Sequence, residues 1–212
     1  MTNYKSLISS AMISDALEEM GYSHQLLPME IKPNFLEAKI FGRARTIRLK
    51  PIGNGDDPAE IHNALYFIER LKKGEVLVVG DAFKSFAFFG ELMSLLAKRK
   101  GVEGAIIDGC TRDYLETVKM KYPVFSRNSF ARDIKKNGMV DKTDGPVKIG
   151  EARINPGDLI FGDYDGIAVI PKEIEEKVLA KCLKISDLEA KIKEDLRKGL
   201  PADQILKTRG EF

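Results

Sequence analysis

The chain has 212 residues, with 34 Lys and Arg against 32 Asp and Glu and a formal net charge of +2. A composition that is 43% apolar and 31% charged supports a sizeable core and excludes a mainly disordered chain, while charge of both signs spread along the sequence excludes the concentrated basic face of a nucleic-acid binder. No apolar run reaches membrane-spanning length, MTNYKSLISS lacks a signal-peptide apolar stretch, and Cys110 and Cys182 are too few for a disulfide framework, so a cytoplasmic protein with neither a membrane nor a nucleic-acid partner is expected.

Apolar residues at helical spacing predict a first helix over 6–20, stopped by Gly21. AKIFGRARTIRL, residues 38–49, alternates apolar and basic side chains and predicts a strand around Gly42. A helix over 58–71 carries Pro58 in its first turn. Val76 to Val79 form a buried strand, a helix covers 90–100, and a second strand, 104–108, ends at Asp108-Gly109. A short helix over 114–120 precedes Pro123-Val124-Phe125, and 126–145 is a loop with edge strands. From 147 to 169 the pattern is β, with turns at Pro156-Gly157 and Asp165-Gly166. A long charged helix over 172–197 closes at Gly199. No repeat or linker divides the chain, so one layered α/β domain with a mixed sheet is expected over 1–212.

The chemistry concentrates between Phe89 and Asp113. Gly90-Glu91-Leu92-Met93 opens a helix whose first backbone N–H groups suit a small anion. Arg112 presents a planar fork for a carboxylate, and Asp113 offers hard oxygen to a divalent cation. The bland readings are an ion pair or helix cap for Arg112-Asp113 and a first-turn acid for Glu91. Asp81 and Asp108 read as turn residues, with Asp108 also placed to support Asp113. Asp163 and Asp165 lack the spacing of a calcium loop and read as a strand-to-strand turn. His24 and His62 are isolated and read as structural. Nothing marks Cys110 as a nucleophile, and Gly53-Asn54-Gly55 lacks the rest of a dinucleotide fingerprint.

SDALEEMG at 14–21, FGRARTI at 41–47, KKGEVLVV at 72–79, GELM at 90–93, GVEGAIIDGCTRD at 101–113, YPVFS at 122–126 and INPGDLIFGDYDGIAVIP at 154–171 together resemble the RraA-like family, which includes the 4-hydroxy-4-methyl-2-oxoglutarate/4-carboxy-4-hydroxy-2-oxoadipate aldolases. The resemblance implies a layered swivelling β/β/α-type domain with a C-terminal helix, assembled as a homotrimer or hexamer. It implies a metal-dependent aldolase that cleaves 4-hydroxy-2-oxo acids to pyruvate, with oxaloacetate decarboxylase activity. Gly90, Glu91, Leu92 and Met93 would then contact substrate, Arg112 would bind its carboxylate and keto oxygens, and Asp113 would anchor Mg²⁺ or Mn²⁺. Glu91 stands where the aldolases usually have Asp, and it retains an acid–base role. A glutamate from a neighbouring subunit's C-terminal helix reaches the aldolase site; Glu189 is the candidate, with Asp187 and Glu194 as rivals. The alternative within the family is a non-catalytic regulator that binds a ribonuclease.

Overall fold

The computed structural model describes residues 4–210; Met1 to Asn3 of the opening segment and the last two residues of the 1–212 span lie outside the described residues. Strands and helices are numbered in chain order. Four parallel strands form the centre of a nine-stranded sheet: β6 (Val124–Ser129), β5 (Gly104–Thr111), β3 (Glu75–Gly80) and β2 (Ile40–Pro51). Antiparallel strands flank them, β1 (Lys32–Pro33) beside β6 on one side and β10 (Leu159–Gly162) with β11 (Ile167–Ile170) beyond β2 on the other. β4 (Ala87–Phe89) pairs with the end of β5, and β7 (Gly138–Thr143) with the end of β2. β8 (Val147–Ile149) and β9 (Ala152–Ile154) form a separate hairpin. The sheet is mixed and the class α/β, with the layering expected from the sequence.

The period of two along each strand divides the core. On β3, Leu77 and Val79 join Phe67, Ile68 and Phe89 on the helix side. Val76 and Val78 face the other way, with Ile40 and Ile106, beneath the β8–β9 hairpin. Burial on both faces explains why β3 and β5 read as continuous apolar runs. A third cluster packs Ile13 and Leu17 of α2 (Ser10–Glu19) and Val178, Leu179 and Cys182 of α6 (Glu175–Arg197) against β10 and β11.

Several boundaries differ from the predicted ones for local reasons. The 6–20 helix breaks into α1 (Tyr4–Leu7) and α2, because Ser9 is extended and its hydroxyl caps α2 by accepting from Met12 N at 3.3 Å. The 58–71 helix begins as a 3-10 turn, Pro58–His62, before α3 (Asn63–Glu69). The 104–108 strand continues to Thr111, held by β4 and β6. A further helix, α7 (Ala202–Arg209), follows α6; its polar sequence hid it, and it docks through buried Ile205 and an ion pair of 2.8 Å from Arg209 Nε to Asp195 Oδ2. The apolar face of α6 packs on α2 and α7 of its own chain, although Leu196 remains 45% exposed. The basic stripe of β2 is paired: Arg43 with Glu175, Arg45 with Glu75 and Asp144, Arg48 with Asp141, and Lys50 with Asp56. Among the described residues no helix is long and apolar enough to cross a membrane.

Candidate active site

Two parallel strands end side by side and each feeds a helix. β4 runs into Gly90 and α4 (Glu91–Arg99); β5 runs into Arg112, Asp113 and α5 (Tyr114–Lys119). The backbone N–H of Arg112 donates to Phe89 O at 2.9 Å, which brings the two junctions together. Carboxyl ends of strands in open α/β sheets are where ligands bind. Asp113 takes the left-handed conformation, φ 55° and ψ 39°, which Asp tolerates better than most residues. Instead of capping α5, its side chain reaches α4: Glu91 N donates to Asp113 Oδ2 at 3.2 Å. Gly90 makes this approach possible, since a Cβ there would lie 2.6 Å from Asp113 Oδ2 and 3.0 Å from Arg112 Cγ.

A cavity of about 400 Å³ opens against this junction. Gly90, Glu91, Leu92, Met93, Arg112 and Asp113, the six residues singled out from the sequence around the motif, all line it. Glu91 is half-buried and Leu92 is 77% exposed. Glu91's N–H is already given to Asp113, so the first-turn N–H groups of Leu92 and Met93, which have no acceptor within the helix, are the ones left to a ligand. Ile61, His62 and Leu65 also line the cavity.

Sequence reasoning missed Asp133. It comes from the stretch read as a loop with edge strands, and its Oδ2 accepts from Arg112 Nη1 at 2.6 Å, while Arg112 Nε lies 3.6 Å from Asp113 Oδ2. Lys135 and His62 also line the cavity. No spacing signal links position 133 to position 112. Glu91, Asp113, Asp133, Arg112 and Lys135 thus all line one cavity, three acidic and two basic residues. Asp113 Oδ2 takes the Glu91 N–H and faces Arg112 Nε, which leaves Oδ1 available to a hard cation. No group of three or more His, Cys, Asp or Glu able to hold a metal occurs among the described residues. An ion that keeps most of its waters, as Mg²⁺ does, can be held by a single protein carboxylate.

The other candidates lie elsewhere. Glu189 is on α6, paired with Lys193 at 2.6 Å, and does not line the cavity of its own chain. Of its rivals, Glu194 pairs with Lys198, whose ammonium holds its carboxyl below the usual range, and Asp187 is exposed on the same helix. Asp108 does not support Asp113; it binds Arg127 Nε at 2.5 Å, and burial raises its pKa despite that partner. Cys110 donates to Lys84 O at 2.9 Å, and burial pushes its thiol up, away from nucleophile character. Asp163 makes the strand-to-strand turn and also receives Ser10 N at 3.1 Å and Ser10 Oγ at 2.6 Å, so it docks α2. His24 pairs with Glu151 at 2.8 Å on the surface, and Gly53-Asn54-Gly55 is a turn in which Gly53 N donates to Asp56 Oδ2 at 2.9 Å.

Comparison with known proteins gives a consistent picture. The model of the RraA-like family, described as Aldolase/RraA, matches residues 10–169. A Halalkalibacterium halodurans protein named "Putative 4-hydroxy-4-methyl-2-oxoglutarate aldolase" is 35% identical over 180 residues, which cover 84% of this chain and 79% of the relative. Legionella pneumophila protein DlpA is 32% identical over 197 residues, 92% of this chain but 31% of that longer protein. Among solved structures, Streptomyces coelicolor RraAS2, described as an unusual member of the RNase ES inhibitor RraA protein family, is 26% identical with a TM-score of 0.75, covering 88% of this chain and 91% of that one.

Proposed function

Because this chain belongs to the RraA-like family, we propose that it is a divalent-metal-dependent carbon–carbon lyase, an aldolase cleaving 4-hydroxy-2-oxo acids to pyruvate and a carbonyl product. The observation that carries the reading is the meeting of Arg112, Asp113 and the α4 N-terminus on one cavity, with Asp113 Oδ2 3.2 Å from Glu91 N. The Arg112 fork suits the substrate carboxylate and the adjacent keto oxygen. The free N–H groups of Leu92 and Met93 suit the remaining carboxylate oxygen. Glu91, which lines the same cavity, would take the proton from the C4 hydroxyl, directly or through a water. As that proton leaves, the C3–C4 bond breaks, the C4 carbonyl forms, and the bonding electrons move onto the keto oxygen as the enolate of pyruvate. Arg112 stabilises that charge as it grows. Proton return to C3 releases pyruvate. Oxaloacetate loses carbon dioxide through the same enolate, so the reading includes decarboxylase activity.

Asp113 would hold the metal, Mg²⁺ or Mn²⁺, through Oδ1; when bound, such an ion polarises the keto oxygen. The charge balance supports this, since an anionic substrate approaches three carboxylates and two cations more readily with a divalent ion present. Assembly is part of the proposal. Leu92, Leu95 at 54%, Tyr114 at 45% and Leu115 at 68% exposure leave apolar surface on α4 and α5 that other copies in a trimer or hexamer would cover. In that assembly Glu189 of one copy reaches the site of the next.

The test is a lactate-dehydrogenase-coupled assay for pyruvate, run with Mg²⁺ or Mn²⁺ over a panel of 4-hydroxy-2-oxo acids and oxaloacetate. Pyruvate from none of them removes the lyase reading. The second reading, a ribonuclease-binding regulator, is favoured by the likeness to RraAS2 and would then be tested by binding to a purified ribonuclease.

A further inference from the structure

We propose that Asp133 is a positioning residue, which sets the orientation of Arg112 and through it the hold on the substrate carboxylate; this rests on the lyase reading above. Arg112 is a flexible side chain, 37% exposed, at the mouth of a cavity. Left to itself it would sample many rotamers, and each binding event would have to freeze them. Asp133 removes that freedom at one edge of the guanidinium. Its Oδ2 takes the Nη1 hydrogen at 2.6 Å, which leaves other N–H groups of the fork for an anion.

Asp133 is itself fixed. Its Oδ1 accepts from Lys135 N at 2.7 Å, so both carboxylate oxygens are committed. The backbone around it is laced to β4: Ala87 N donates to Arg132 O at 2.7 Å, and Ile134 N donates to Ala87 O at 3.1 Å. β4 is the strand that delivers Gly90. One short strand therefore sets the height of the helix N-terminus and, through Asp133, the direction of the arginine. Two groups that must close on the same carboxylate are registered to the same piece of backbone. An ion pair of this exposure adds little to fold stability, so a merely structural role is a poor account of so many constraints on one side chain.

The experiment compares wild type with Asp133→Ala and Asp133→Asn. It measures kcat and KM for pyruvate release, Mn²⁺ affinity without substrate, binding of oxalate (a planar mimic of the pyruvate enolate) in the presence of Mg²⁺, and Tm. Asp133→Ala should lower kcat/KM by roughly 10- to 100-fold and weaken oxalate binding by about 10-fold, by analogy with other misplaced catalytic groups. Mn²⁺ affinity and Tm should stay near wild type, because Asp113 and the core are untouched. Asp133→Asn, whose amide oxygen can still accept from Arg112, should recover most of the loss. Wild-type turnover and oxalate binding in Asp133→Ala overturn the positioning role alone. Parallel falls in Mn²⁺ affinity, Tm and activity overturn it in favour of a structural role. Failure of the wild-type protein to bind oxalate or release pyruvate overturns the lyase reading and the positioning role with it.

Discussion

Replacing Gly90 by Ala tests whether the close approach of α4 to Asp113 matters for chemistry. The backbone at Gly90, φ −151° and ψ −160°, is extended and open to an L residue, so the substitution introduces no left-handed strain. What it introduces is a methyl group 2.6 Å from Asp113 Oδ2 and 3.0 Å from Arg112 Cγ. Restoring a 3.4 Å contact requires a shift of about 0.8 Å between them. The Asp113 side chain is 42% exposed and can swing, so the fold should absorb the change at the low end of the roughly 1–3 kcal/mol typical of overpacking. The site cannot absorb it as easily, because the swing breaks the bond from Glu91 N and carries the proposed metal ligand away from Arg112. A displacement near 1 Å can cost on the order of 100-fold, equivalent to about 2.7 kcal/mol of transition-state stabilisation. The coupled pyruvate assay should therefore show a kcat/KM loss of roughly that size, with weaker Mn²⁺ binding and a near-native far-UV spectrum. Gly166→Ala is the control, since a Cβ there meets nothing within 4 Å. Gly90→Ala protein with kcat/KM within threefold of wild type and unchanged Mn²⁺ affinity would refute the reasoning.

Chelation by EDTA should abolish pyruvate release and Mg²⁺ or Mn²⁺ should restore it, whereas Asp113→Ala should not be restored; full turnover by metal-free Asp113→Ala protein would end the metal proposal. Arg112→Lys should be nearly as damaging as Arg112→Ala, mainly in kcat, because an ammonium keeps the charge but loses the fork; a Lys variant with near-wild-type kcat would reduce the position to general positive charge. Sedimentation at micromolar concentration should show a trimer or hexamer, and Glu189→Gln should lower activity without changing the assembly; an active monomer contradicts the shared site, and an unaffected Glu189→Gln oligomer contradicts the residue assignment. Arg209 holds the Asp195 carboxyl below its ordinary range, so the pair's stabilising effect is present at neutral pH and is lost as acid titrates the folded carboxylate. The Tm gap between wild type and Asp195→Asn should accordingly be full at pH 7 and close below the ordinary aspartate range; a gap that persists in strong acid would mean that Asn acts by some other route.

The parts legible in the sequence were those written locally. The strands at 76–79 and 104–108 announced themselves by unbroken apolar runs, Arg112-Asp113 stood just past the second, and Gly90 marked a helix start suited to a short anionic ligand, whereas β4, which leads into Gly90, was not foreseen. Parallel pairing of β4 with β5 brings these segments to one cavity. What stayed hidden depends on contacts across distance. Asp133 meets Arg112 through a crossover at Ala87, and nothing in the local pattern of residues 126–145 foretells it. His62 lines the cavity through tertiary placement, since its 3-10 turn packs against β7 and α3. The break at Ser9 is a local cap that lost to the longer apolar periodicity, and α7 is too short and polar to stand out.

β4 has only three residues, yet it joins three stretches of chain, at 87–90, 110–113 and 132–135, each roughly twenty residues from the next. None of these stretches forms the site alone, and the lacing between Ala87 and residues 132–134 is a few backbone bonds near a surface loop. Free energies of local opening are lowest where buried contacts are few and bonds lie near solvent. Phe88, Phe89 and Ile134 are core residues, but Arg132 and Lys135 are exposed, so the 132–135 stretch is expected to open before the strand it is laced to. In a denaturant titration, pyruvate release should fade while the far-UV signal of the α2–α6 layer is still native. Coincident loss of the two signals would show that the ribbon around β4 is as firmly held as the core.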